Sequence, residues 1–510
     1  MSACEFLLKV DREKPNDGIL ALRELTRRCL MVTKPHVLAD LFVHRPYDFA
    51  KPDNMRNFLR NLVGDGLLIV EGESHKFLRK KTSPAFSFRR VKDLYPMMWK
   101  NSLRFAGTLE ADIQGQESKA TANPGDSAPT GTVELTHWAN MTTLNIIGNA
   151  VLGRDFDVFG DSDDLLLKSY GIIFDPTKEM LLYLILSAWL SHRLAKFLAW
   201  RVHRVFKETT AQLKRSCLQL VRDRQRTIKD GSEHFDILSL LIKSDAFSDD
   251  EMADQLLTYL AAGHDTTALT LTWACYFLAL DTTLQETLRR EVRDNLPPSF
   301  RKPEETQFQA PSTPSSPGDK PRADSIADIM ERLPMLNGVI SETLRLYPTV
   351  PVTIRSAVRD TCLAGQPIPK GTEILISPWV INRSRELWGA EADVFRPERW
   401  ISSSSSRVAG TRKGGPEAAA RGEDEPGFLD GKPNYVGGAS SNYDFMTFLH
   451  GPRSCIGQGF ARAELRCLLA ALVSRFEWTL DMDVKDVVPS GAITLKPQNG
   501  LYLKFKILGE

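Results

Sequence analysis

Residues 448–457 read FLHGPRSCIG and place one thiol, Cys455, between glycines and two positions after an arginine. The run that follows, GFARAELRCLLAALVSRF, has helical periodicity, so Cys455 is expected just ahead of a helix N-terminus. Amide groups left unpaired at such an end carry partial positive charge. A thiol acts as a strong ligand or nucleophile only as its thiolate, and this environment is expected to lower its pKa. Gly451, Gly457 and Gly459 remove side chains on either side and let backbone approach a flat, bulky partner. Arg453 adds a planar cation shaped for a carboxylate.

Four chemistries fit such a cysteine: protease nucleophile, redox switch, zinc ligand, or axial ligand to haem iron. Zinc calls for further Cys or His at short spacing; His450 is near, but no C-x-x-C pair occurs. A redox pair calls for a resolving thiol, and Cys467 lies twelve residues on, along the same helical run. A protease needs a placed base, which sequence leaves open. Haem ligation accounts for the glycines and the arginine together, since haem brings a flat face and two propionates.

Composition narrows the setting. The chain has 510 residues, 42% hydrophobic and 25% charged, with a net charge of +1. That balance gives no nucleic-acid signal, and no block of like charge marks a binding tail. Seven scattered cysteines in so long a chain read as free thiols in a reducing compartment. The N-terminus, MSACEFLLKVDREKP, lacks the apolar core of a signal peptide. MLLYLILSAWL (180–190) is too short for a bilayer and reads as a buried or interfacial helix; no segment is expected to span a membrane.

Several elements must position the thiol. Residues 249–280 form the longest helical pattern, opened by Ser248 with Glu251 three residues on, the spacing of a capping box. Such a helix would be about 48 Å long and, apolar nearly all round, buried. LPMLNGVISETLRLYP is a second helix ending before Pro348. Short β-branched runs follow in VPVTIRSAV, TEILISPWV, AITLK and LYLKFKIL. The fold class is mainly α with small peripheral β-sheets. Residues 111–131, 297–323 and 401–441 lack hydrophobic periodicity and read as surface insertions in one domain, 1–510.

FLHGPRSCIG resembles the cysteine-ligand signature of the cytochrome P-450 family of haem-thiolate monooxygenases, with Phe448, Gly451, Arg453, Cys455 and Gly457 in register. AAGHDTT, midway along the long helix, matches the family's oxygen-activation motif, and ETLR and FRPERW follow in the family's order. The resemblance covers roughly residues 20 to 510 and looks eukaryotic, microsomal-type and fungal-like. It implies haem b between the long helix and the cysteine-bearing helix, with Cys455 as axial iron ligand. It implies Thr266 and Asp265 as the catalytic pair: a Thr hydroxyl can bond back to the carbonyl of Ala262, and an acid beside an alcohol can relay protons. Arg79, Arg355 and Arg453 are the implied propionate holders. His75 stands where the family usually has tryptophan, and an imidazole can still donate to a propionate. Glu342, Arg345 and Arg399 are implied as a buried charge network.

The same resemblance implies one oxygen atom from O2 inserted into a lipophilic small molecule, with NADPH electrons delivered by a transiently docked NADPH–cytochrome P-450 reductase. Lys76, Lys80, Lys81, Arg89 and Arg90 form the implied docking patch. The implied pocket draws on 53–70, 165–200, Tyr259, 349–354, Ala492 and Ile493. A role in secondary metabolism, a monomeric state, and residence at the cytoplasmic face of the endoplasmic reticulum by peripheral contact are expected, the last weakened because no N-terminal anchor is read in this sequence; otherwise the protein is expected in the cytoplasm. Two rivals remain: an O2-independent haem-thiolate isomerase or dehydratase, which Asp265 and Thr266 argue against, and a non-enzymatic haem sensor, which has little need of a proton-relay pair.

Overall fold

The computed structural model describes residues 3–24, 27–120, 128–158, 200–232, 235–298, 325–402, 431–491 and 493–509. Its principal helices are α1 (Ala3–Glu13), α2 (Asp53–Val63), α3 (Gly72–Thr82), α4 (Phe88–Ala120), α5 (Leu135–Leu152), α6 (Trp200–Lys229), α7 (Asp249–Leu280), α8 (Thr282–Asn295), α9 (Pro334–Leu346) and α10 (Gln458–Arg475). The main core lies among α4, α5, α7, α9 and α10, whose facing side chains form one continuous apolar cluster.

Helix α7 has the bounds its sequence predicts. Ser248 Oγ accepts from the Glu251 amide, and Glu251 returns the bond to the Ser248 amide at 2.8 Å, so two orphan donors are satisfied reciprocally. It packs along α5, α6 and α10 and is buried on nearly every side. Helix α5 ends where Gly153 adopts a left-handed φ of 61°, which glycine reaches without steric cost.

The strands lie at the periphery. The larger sheet joins β1 (Ile19–Glu24), β2 (Arg27–Val32), β3 (Phe49–Ala50), β5 (Thr353–Ala357) and β6 (Glu373–Ile376) in the order β1-β2-β6-β5-β3, with only the β2–β6 pair parallel. A second sheet sets β8 (Tyr502–Ile507) between β7 (Phe476–Leu480) and β4 (Thr130–Glu134). Of the run AITLK, the described residues enter a strand only at its last position, Lys496 of Lys496–Pro497.

The polar stretch expected as an insertion from 111 is helical as far as Ala120. Ile113 is fully buried there, and Gln116 exchanges hydrogen bonds with the backbone of Thr132 on β4, both at 3.1 Å. Tertiary contacts hold this helix end where local periodicity fades. Residues 121–127, 299–323 and 403–430 of the expected insertions lie outside the described residues, as does the 180–190 segment, while Ile401–Ser402 pairs with Lys432–Pro433 across the last of them. Among the described residues, no helix is long and apolar enough to cross a membrane.

Candidate active site

Two of the backbone angles around Cys455 are left-handed: Leu449 has φ 54° and Gly451 φ 70°. A side chain on Gly451 would place its Cβ 2.0 Å from the Phe42 carbonyl oxygen, so this glycine serves a close contact within the chain. The Cys455 amide closes the loop onto the Phe448 carbonyl at 2.8 Å, and the Met446 amide anchors it to Asn382 Oδ1 at 2.8 Å. Arg79 on α3 braces the same loop, donating to the Ser454 carbonyl at 2.6 Å and to Ser454 Oγ at 3.3 Å.

The Cys455 thiol is accessible even though the protein packs densely about it, so it faces a hollow inside the fold. No side chain caps α10, and the amides of Gly457 and Gln458 are left to hydrogen-bond the sulfur. The predicted drop in thiol pKa is overturned: burial pushes it up, against the opposing pull of those amides and of Arg79. Packing of protein about the sulfur outweighs two amide dipoles and one cation.

Along α7 the burial lapses at one place. Ala262 is exposed, and Ala261, Gly263, Asp265 and Thr266 are partly so, in the middle of a helix otherwise enclosed by protein. Thr266 Oγ1 donates to the Ala262 carbonyl at 2.8 Å, as its sequence position predicts, and Thr267 Oγ1 donates to Gly263 O at 3.0 Å. His264, between Gly263 and Asp265, is buried and donates through Nδ1 to Leu260 O at 2.9 Å. The result is a small-residue window with an acid and an alcohol beside it.

A cluster of buried cations forms the third part. Arg355 on β5 is 3% exposed, and Lys51, Arg453, His75 and Glu71 gather close to it. Glu71 is the carboxylate that acts on this group: it forms an ion pair with Arg453, lies 3.7 Å from Lys51 Nζ and accepts from the Lys51 amide at 3.0 Å. Arg453 Nε has no hydrogen-bond partner among the described residues. Burial, with help from Arg355 and Arg453, drives Lys51 down to about 7. Burial beside Arg453 takes His75 to about 4, and burial beside the same arginine lowers Arg355 to about 10. His75 is a buried side chain in contact with Tyr47 Oη at 3.2 Å.

Arg355 and Arg453 against the one carboxylate of Glu71 leave a surplus of one positive charge, which rises to two when Lys51 is protonated. An uncompensated buried charge is strongly unfavourable. A ligand with acid groups would offset that surplus, and an accessible thiol and a small-residue window on α7 leave room for a flat body. These residues therefore fit haem. Sequence reading named Arg355, Arg453, Arg79 and His75 but missed Lys51 and Glu71, since neither FAKPD nor VEGES carries a local sign that its charge is buried.

The scaffold network is present as expected. Arg345 and Glu342 are fully buried and bidentate, at 2.7 and 2.8 Å; Arg399 Nε and Trp400 Nε1 add bonds to Glu342 of 2.9 and 2.8 Å. Burial alone would raise Glu342, but these donors hold its carboxyl below the usual range. The same Arg345 donates to the carbonyls of Asn382 and Ala392, both at 2.7 Å, so it ties α9 to the backbone leading to the cysteine loop.

The expected pocket segments converge only in part. Thr258 Oγ1 donates to Val63 O at 3.2 Å and the Leu67 amide to Gln255 Oε1 at 3.1 Å, which pins the 53–70 segment to α7. The Leu495 amide bonds Thr349 O at 2.8 Å, bringing 349–354 beside the 493–495 turn. Tyr259 is buried against Phe86 and on the side of α3, near Arg79. Ala492 and nearly all of 165–200 lie outside the described residues, and Ile493 is 44% exposed. In the basic patch, Lys80, Lys81 and Arg89 are exposed, Lys76 pairs with Glu73 at 2.5 Å, and Arg90 pairs with Asp93 at 3.6 Å.

Comparison with known proteins agrees with this geometry. The family model described as Cytochrome P450 matches residues 11–505. The chain is 39% identical to Cytochrome P450 monooxygenase sphH of Aspergillus fumigatus over 498 residues, covering 96% of this chain and 81% of the relative. It is 35% identical to Cytochrome P450 monooxygenase ptmK of Penicillium ochrochloron (99% and 88% covered) and 33% identical to Cytochrome P450 monooxygenase FUM15 of Gibberella moniliformis (94% and 79%).

Proposed function

The chain belongs to the cytochrome P450 family and is a haem-dependent monooxygenase supplied with electrons by a reductase; on that premise we propose how its own residues divide the work. Cys455 would supply the thiolate that holds the haem iron, presented by the Leu449–Gly451 turn and oriented by the Gly457 and Gln458 amides. Bound haem supplies the metal centre at which dioxygen is activated, with a thiolate donor pushing electron density toward O–O cleavage. Arg355, Arg453 and Lys51 would hold the cofactor's two acid groups, and His75 lies within the same cluster. Arg79 acts chiefly on the cysteine loop through Ser454.

On the opposite face, Thr266 holds its proton on the Ala262 carbonyl until a better acceptor enters the window. Asp265 replenishes that proton from the solvent side. The window itself, built from Ala261, Ala262 and Gly263, sets the space next to the reacting atoms. Apolar neighbours in 53–70, 349–354 and the turn after residue 492 suit a lipophilic small molecule, and the fungal relatives favour a product of secondary metabolism. Lys80, Lys81 and Arg89 form the reductase-facing patch, and residues 1–510 act as one catalytic domain.

The accessible Cys455 thiol, facing an internal hollow, carries this reading. Cys455→Ser should abolish the red-shifted Soret band of the reduced carbon monoxide complex, which depends on thiolate ligation. Retention of that band would remove Cys455 from the iron.

A further inference from the structure

Outside the residues assigned to the cofactor, another buried cation stands without a counter-charge. Arg383 follows the short helix Pro378–Ile381 and is 6% exposed. Its guanidinium lies over Trp379, 3.4 Å from the ring centroid, and 5.2 Å from that of Tyr347. The two ring faces offset part of the charge but take none of its hydrogen bonds. Arg383 Nη1 is sealed from solvent and has no partner among the described residues. Trp379 is 5% exposed, and its indole N–H has none either. Asp393 is the carboxylate that acts on Arg383, yet Arg12 already donates to both of its oxygens at 2.7 Å. Fully buried Arg345 adds repulsion.

Helix α1 closes over the same place. Arg12 in its last turn donates to the Arg383 carbonyl at 3.2 Å, while the Arg383 charge reaches Cys4 in its first turn. Glu5 of that turn is exposed and acts on Tyr347. The guanidinium is therefore aimed at a helix N-terminus, where partial positive charge adds to its own. A buried charge without a partner and two unmade hydrogen bonds are each unfavourable, so an acceptor completes the site.

The donors select its chemistry. A guanidinium fork, an indole N–H and the positive end of a helix are three differently placed attractions for one anion. A carboxylate has two oxygens to share among them, whereas a tetrahedral oxyanion has one for each. We propose that Arg383, Trp379 and the first turn of α1 bind a phosphate group, as inorganic phosphate or as a lipid headgroup. Tyr347 closes α9, and Trp379 donates its amide to Pro351 O at 3.3 Å. Phosphate held here would fasten α1 to the turn that leads into 349–354. The site owes nothing to the assignment of Cys455.

The test uses the haem-loaded protein, so that the cofactor's own cluster is occupied, and holds ionic strength constant with chloride. Half-buried Cys4 is the local probe, and Cys362, also half-buried, is the reference. Inorganic phosphate should slow alkylation of Cys4 by iodoacetamide about threefold or more, read by peptide mass spectrometry, and leave Cys362 unchanged. The phosphate concentration for half protection should rise about fivefold in Trp379→Phe, which keeps a ring and loses the N–H, and about tenfold in Arg383→Gln. Lys9→Gln, on the exposed side of α1, should match wild type. Should Arg383→Gln fail to fold, Trp379→Phe carries the comparison. Phosphatidylcholine vesicles with and without phosphatidic acid then separate the sources. Retention of wild type over Trp379→Phe on the acidic vesicles, reversed by free phosphate, supports a lipid headgroup; equal retention alongside Cys4 protection supports soluble phosphate. No protection of Cys4, equal protection in wild type and Trp379→Phe, or a loss in Lys9→Gln as large as in Arg383→Gln would overturn the inference.

Discussion

Lys51→Met gives the sharpest test of the charge cluster, because the structure fixes both its sign and its size. In the fold without cofactor, burial and the neighbouring Arg355 and Arg453 hold Lys51 at about 7, against 10.5 for an ordinary lysine. Below pH 7 both folded and unfolded chains carry the proton, and the folded state bears the full penalty of the buried charge. Between pH 7 and 10.5 only the unfolded chain keeps it, so cofactor-free stability rises with pH by up to about 1.4 kcal/mol per unit and then levels off. Haem's two acid groups would cancel the repulsion and return the proton. Binding above pH 7 then takes up one proton, and affinity falls by up to about tenfold per pH unit. Lys51→Met should flatten both slopes. At pH 7 it should also leave the acid groups short of one partner, a loss of about 2 kcal/mol, or roughly thirtyfold faster haem release. Urea unfolding of the cofactor-free protein at three pH values, with haem transfer to a scavenging apoprotein, measures all of this. Equal pH slopes and equal release rates in wild type and variant would refute the reasoning.

Thr266→Ala removes the hydroxyl that rests on Ala262, and NADPH consumption should continue with more of the oxygen leaving as peroxide; unchanged coupling by paired NADPH and peroxide assays would take the proton role from Thr266. Reversal of the exposed Lys80 and Lys81 to Glu should slow reductase-supported turnover several-fold while sparing peroxide-supported turnover, whereas equal slowing would make the patch a solvated face. Arg345→Met leaves the fully buried Glu342 with fewer donors and should cost about 3 kcal/mol in guanidinium unfolding, a loss absent if Arg399 and Trp400 suffice.

Those parts of the protein that rest on neighbouring residues were open to reading from the chain alone. The Ser248–Glu251 capping box set the start of α7, and the Thr266 back-bond to Ala262 followed from helical spacing. The cysteine ahead of α10, and the pairing of Glu342 with Arg345 on one helix face, are local in the same sense. Their geometry is dictated by backbone periodicity and short-range hydrogen bonding, which sequence order encodes directly.

What the tertiary structure decided is which charges lose their water. Lys51, Glu71, Arg355 and Arg453 come from four separate segments, and only their joint burial creates a surplus of positive charge. Glu464 reads on paper as one more solvated carboxylate on a helix, yet packing seals it against Thr267. The thiol pKa moved opposite to expectation for the same reason. Desolvation depends on everything that surrounds a group, so amino-acid order names the ionisable side chains while the assembled fold sets the charge each of them can keep.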